Sequence, residues 1–124
     1  MADSKRFSDW YKKAKNDSLA AKILFDHGAD YSLVAFHAQQ AAEKALKGYI
    51  LENTQRLEDG HSLVFLIRTA SRFDSDIYKF KKDCAYLNQF YIETRYPQDI
   101  PDEVTRNDAL KTLGICDDIL NHIM

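Results

Sequence analysis

Residues able to stop a helix are almost missing from this chain, which holds four glycines and two prolines in 124 positions. Proline breaks a helix because it lacks an N–H and clashes with the preceding turn; glycine weakens one because it gains most freedom on unfolding. A chain with so few breakers is left with long helices divided at a handful of places. No strand competes, since alternation of apolar and polar residues never persists beyond a few positions. No internal repeat or low-complexity tract is present. The expected fold is all-α, an antiparallel up-and-down bundle of four to five helices, in a single domain over residues 1–124.

The stops place the helices. A first helix is expected from about Ser4 to His27, with Gly28 free to supply a left-handed residue beyond its end. Phe7, Trp10, Tyr11, Ala14, Ala21, Leu24 and Phe25 form its apolar stripe, and Lys12, Lys13 and Lys15 lie off it. A second helix opens at Asp30, a suitable N-cap, and runs to about Asn53. Its alanines (35, 38, 41, 42 and 45) allow neighbouring helices to approach closely, which makes it the central helix. Its apolar face reads Ala35, Ala38, Ala42, Ala45, Leu46 and Tyr49. After a polar turn through Gly60, a shorter third helix buries Leu63, Leu66, Ile67, Ala70 and Phe73. Ser75 is placed to cap a fourth, with Ile77, Phe80, Cys84, Leu87 and Tyr91 inward. That helix must end near Tyr96, because Pro97 disfavours helical backbone in the residue before it. A last helix starts at Asp102 and turns Ala109, Leu113, Cys116, Leu120 and Ile123 inward. Gly114 within it costs ~1 kcal/mol.

Hydrophobic residues make up 45% and charged residues 29%, the balance of a globular protein with a real core. The net charge of −2 argues against a broad electrostatic grip on DNA and leaves room for a local basic patch. The opening MADSKRFSDW has no apolar run of the signal-peptide kind, and no stretch approaches the length of a membrane span. A cytoplasmic protein without membrane contact is expected. Cys84 and Cys116 fall on apolar helix faces without CxxC spacing and read as buried reduced thiols.

Three places could carry chemistry. On the second helix Gln39, Gln40, Glu43, Lys44 and Lys47 recur at three- and four-residue intervals; glutamines could read a base edge and lysines could meet phosphate. The competing reading is a solvated face, with Glu43 and Lys47 an ordinary i,i+4 ion pair. The stretch Thr94-Arg95-Tyr96-Pro97-Gln98-Asp99-Ile100-Pro101 holds an arginine beside prolines that stiffen the backbone. Arg95 could take phosphate or carboxylate bidentately, or pair with Glu93 or Asp99 and pin the loop. His61, before the third helix, reads as capping or packing. No HxH, HExxH, GxSxG or glycine-rich phosphate loop occurs, so no metal, cofactor or nucleophile site is expected.

Taken together, Trp10 and its helix, Phe36-His37-Ala38-Gln39-Gln40-Ala41-Ala42-Glu43-Lys44-Ala45-Leu46-Lys47, His61-Ser62-Leu63, Leu87-Asn88, and Tyr91-Ile92-Glu93-Thr94-Arg95-Tyr96-Pro97 resemble the HEPN domain family. They come in that family's order and span roughly residues 7 to 120. The resemblance implies a four- to five-helix bundle that pairs as a homodimer. It also implies work beside a minimal nucleotidyltransferase in a two-component module of toxin–antitoxin type. It makes Gln39, Gln40, Glu43, Lys44, Lys47, Arg95 and Tyr96 the expected binding surface for a nucleotide-like ligand.

Many members of that family are metal-independent ribonucleases with an arginine, four to six intervening residues and a histidine. Here the positions that could hold the histidine after Arg95 are Ile100, Pro101 and Asp102. Arg56 and His61 match the spacing as RLEDGH, but at the family's HSL-like element, and the match reads as coincidence. The expected function is a non-catalytic binding domain for a nucleotide or RNA, or for a protein partner. A metal-independent toxin ribonuclease using Arg95 or Arg56 with His61 is the alternative, and a purely structural interaction domain is a third reading.

Overall fold

The computed structural model describes residues 3–91 and 103–124. It is an all-α bundle: α1 (Phe7–Asp26), α2 (Tyr31–Thr54), α3 (Leu63–Ala70), a 3-10 segment (Ser75–Phe80), α4 (Lys81–Asn88) and α5 (Arg106–Ile123). Gly28 takes φ +75°, and the N–H of Ala29 closes on the Leu24 carbonyl at 2.9 Å, so α1 stops where the glycine allows. A few residues later α2 has started, with the Asp30 carboxylate accepting from the Ser32 N–H. A connection this short makes α1 and α2 antiparallel neighbours.

α2 is the central helix and touches all four others. Ala42, Leu46 and Ile50 face a core built with α3, the 3-10 segment, α4 and Ile115 and Ile119 of α5. Val34, Ala38, Ala41 and Ala45 face a second core with Ala14 and Ala21 of α1 and Ala109, Cys116 and Leu120 of α5. Gly48 lets α1 come closest: a Cβ there would lie 2.8 Å from the Tyr11 ring and 3.1 Å from Trp10 Cβ. Both cysteines are free and buried, and burial pushes each thiol up to about 12.

Several expected boundaries move. The fourth helix is a 3-10 segment followed by α4, and α4 ends at Asn88 rather than near Tyr96. The cap of the 3-10 segment is Asp74, whose carboxylate accepts from the Asp76 N–H, and not Ser75. Phe73, expected inside, is 44% exposed because it falls in the turn after α3 and off that helix's stripe. Phe7, at the end of the α1 stripe, is also exposed, since it sits on the first turn at the edge of the bundle. The last helix begins at Arg106, not Asp102. There Thr105 and Asp108 form a capping box: the Asp108 N–H donates to Thr105 Oγ1 at 3.1 Å and the Thr105 N–H to Asp108 Oδ2 at 3.0 Å.

Candidate functional site

Gln39, Glu43 and Lys47 lie four residues apart, so they line up along one edge of α2. The solvated-face reading fails for them. Glu43 and Lys47 are only 4% and 5% exposed and Gln39 is fully buried. The reason is tertiary: α1 covers this edge with Trp10, over whose ring Lys47 Nζ sits at 5.8 Å, and the segment before α3 covers it with His61.

A buried carboxylate must find donors for its oxygens. Glu43 Oε1 accepts from Gln39 Nε2 at 3.2 Å. Its Oε2 accepts from Lys47 Nζ at 3.3 Å and from His61 Nδ1 at 3.0 Å. Gln39 passes the chain outward, its Oε1 accepting from Gln40 Nε2 at 2.7 Å. The directions agree throughout, each amide donating with nitrogen and accepting with oxygen. No buried side-chain polar atom among the described residues lacks a partner.

This arrangement sets which ring nitrogen of His61 faces the carboxylate as a donor. A carboxylate held by an ammonium only accepts, so Nδ1 must carry a proton, and in the neutral ring Nε2 is left as the acceptor. The His61 side chain is 52% exposed, against 5% for Glu43, and its ring stacks on Tyr91 at 4.7 Å with 18° between planes. Beside it, Asn88 Oδ1 accepts from the N–H of Leu63, the first residue of α3. The QQAAEK, HSL and LN…Y elements, distant in sequence, thus meet at one place.

The other two polar residues of α2 go elsewhere. Lys44 Nζ lies 2.5 Å from Asp17 Oδ2 on α1, and His37 Nδ1 lies 3.3 Å from Asp17 Oδ1. Sequence reasoning missed Asp17. Its signal was an acid within the Ala14–Ala21 stretch, on the flank that an antiparallel α2 would pack against. Gln40 is partly buried at the outer end of the Glu43 chain. Arg56 is exposed, in a depression with Asp3, Lys5, Gln55, Leu57, Glu58 and Asp59, whose lining does not include His61. Arg95 and Tyr96 lie outside the described residues. No three His, Cys, Asp or Glu side chains among the described residues are grouped to hold a metal ion, and no described helix is long and apolar enough to cross a membrane.

The chain is thus an all-α bundle whose central helix carries a buried glutamine–glutamate–lysine line, capped by a histidine from the segment before α3. The family model described as "HEPN domain" matches residues 7–123, and the chain belongs to that family. Among solved structures it is similar to TT1696 from Thermus thermophilus, at 30% identity, 97% coverage of each chain and a TM-score of 0.82. It is also similar to ST0689, an archaeal HEPN homologue, at 30% identity and a TM-score of 0.74, covering 97% of this chain and 96% of that one. No curated protein matches it.

Proposed function

We propose that the chain is a non-catalytic cytoplasmic HEPN module, acting as one domain and a homodimer. In this reading it binds a nucleotide-like ligand, a minimal nucleotidyltransferase partner, or both, within a two-component system of toxin–antitoxin type. One observation carries the reading: the pinned His61, stacked on Tyr91, the residue from which the chain runs on towards Arg95 and Tyr96. Gln39, Glu43 and Lys47 then serve as the frame and Gln40, His61, Arg95 and Tyr96 as the contacts, with Lys44 at the edge. A nucleotide supplies what such contacts take: a flat ring for an aromatic face, base-edge donors and acceptors for Gln40, and phosphate for Arg95. Calorimetric titration with adenosine and guanosine triphosphates tests it. His61→Ala and Arg95→Ala should each weaken binding about tenfold, or ~1.4 kcal/mol. Arg95→Ala should leave the melting temperature unchanged, whereas His61→Ala should lower it because the buried Glu43 carboxylate loses a donor. Unchanged binding of both nucleotides by both variants refutes the ligand reading; co-purification of native partners tests the protein one.

The Glu43–His61 pair favours a second reading, a metal-independent ribonuclease. A histidine whose Nδ1 donates to a buried carboxylate can take a proton at Nε2 from a ribose 2′-hydroxyl. In the presence of chelator, the protein should then cut RNA and His61→Ala should abolish the cut.

A further inference from the structure

Away from that site, the stretch from Phe65 to Lys82 carries five basic residues, Arg68, Arg72, Lys79, Lys81 and Lys82, against two acidic ones, Asp74 and Asp76. Its charge of +3 stands out on a chain of net charge −2. These cations stand outside ion pairs among the described residues, although Asp74, whose carboxyl the His122 hydrogen bond holds low, is held lower still by nearby Lys79. Lys22, Lys44 and Lys47 are each paired with a carboxylate, whereas none of these five forms a side-chain ion pair among the described residues.

The same face exposes rings. Phe65 is 50% exposed, Phe73 44% and Tyr78 40%, while the large exposed apolar residues elsewhere among the described residues are Leu19, Ile23, Leu33, Leu110 and Met124 and a single ring, Phe7 at 39%. Phe65, Arg68 and Arg72 follow one another at i, i+3 and i+7, along one side of α3 and into the turn beyond it. α3 packs on the 3-10 segment and on α4, which brings Tyr78 among the cations. Lys81 Nζ lies 5.5 Å from the centre of its ring. Lys81 first, and Arg68 after it, pull the phenol below its ordinary pKa, as expected where the local potential is positive.

We infer that this face binds single-stranded nucleic acid, with the arginines and lysines on phosphates and Phe65, Phe73 and Tyr78 against unstacked bases. Exposed rings interleaved with cations that stand outside ion pairs are the two parts such a surface needs: charge to track a backbone, and π-faces that any base can stack on. A duplex would meet the charge and leave the rings idle, because its bases are already stacked.

Fluorescence anisotropy with a labelled RNA dodecamer and the full chain, from 50 to 300 mM salt, tests the inference. The affinity should fall with salt, and Arg68→Gln/Arg72→Gln should make the slope of log K against log salt shallower by about 1.4, at ~0.7 for each phosphate no longer neutralised. Lys79→Gln/Lys82→Gln, on separate elements, should do the same if the arginine variant folds poorly. Phe65→Leu/Phe73→Leu should weaken single-strand binding at least about fivefold and leave the salt slope unchanged. Lys12→Gln/Lys13→Gln, exposed on α1, should leave dodecamer binding unaltered, which separates this face from surface cations in general. The inference is overturned by no binding at millimolar protein, or by duplex binding as tight as single-strand binding. An equal loss of binding in Lys12→Gln/Lys13→Gln, or a preference for phosphatidylserine vesicles over RNA, overturns it equally.

Discussion

Replacing Glu43 by methionine keeps the side-chain length and removes the one acceptor shared by Lys47, Gln39 and His61. In the folded protein this strands an ammonium that is only 5% exposed beside the Trp10 ring, and leaves the Gln39 amide without its partner. A solvent-exposed i,i+4 pair contributes about 0.3–0.5 kcal/mol. Breaking a buried pair from one side costs about 3–5 kcal/mol, because the remaining charge has lost both water and counter-ion. For a domain of this size the loss corresponds to a fall of about 12–19 °C in melting temperature. Glu43→Met/Lys47→Met removes both charges together. It should recover most of the loss, short of about 1–3 kcal/mol for the orphaned Gln39 amide. Urea unfolding of wild type, both single variants and the double closes a cycle, and the coupling should exceed about 2 kcal/mol. A Glu43→Met cost below about 1 kcal/mol, with coupling near zero, would mean that the pair is solvated and the description of the seam is wrong.

Two glycines of helical sequence should respond in opposite directions. Gly48→Ala drives a methyl into the Tyr11 ring, which is itself held by its hydroxyl on Glu52 at 2.8 Å, and should destabilise by about 1–3 kcal/mol despite better helix propensity. Gly114→Ala meets nothing within 4 Å and should stabilise by about 0.5–1 kcal/mol; thermal melts compare the two. Asp108 is held below the usual carboxylate range, first by the Thr105 N–H and then by the Tyr86 hydroxyl, which donates to it at 2.8 Å. A depressed folded pKa means stability present above the unfolded value of about 3.9 and lost as pH falls through the folded one. Asp108→Ala should therefore cost about 1 kcal/mol at pH 7, and its difference from wild type should shrink below about pH 4 in urea titrations.

The helices were legible where the chain carries explicit punctuation. Gly28 and Asp30 announce the first turn, and the alanine run identifies α2 as central because small side chains are what a helix enclosed by others can carry. The Thr105–Asp108 box was equally local, four residues with the cap spacing, yet the prolines upstream drew the boundary towards Asp102. The burial of Glu43 and Lys47 was not legible. Helical spacing reports which residues share a side, and polarity is then taken as a sign of solvent. α2 is covered on more of its circumference than its apolar residues account for, and the covering groups, Trp10 and His61, are 33 and 18 positions away from Glu43. The pairing of His61 with that carboxylate is a product of the assembled bundle, visible in no single stretch.

Alanine surfaces have shallow relief, so two helices meeting through them can slide along each other with little loss of contact. Here that freedom is checked by features with only one correct setting. Moving α1 by one turn, about 5.4 Å, would take Trp10 off Lys47, Asp17 off Lys44 and the Tyr11 ring out of the notch at Gly48. The polar seam therefore works as a key in a smooth shaft. It selects a single alignment of α1 and α2, and with it the height at which His61 is presented to whatever approaches from outside.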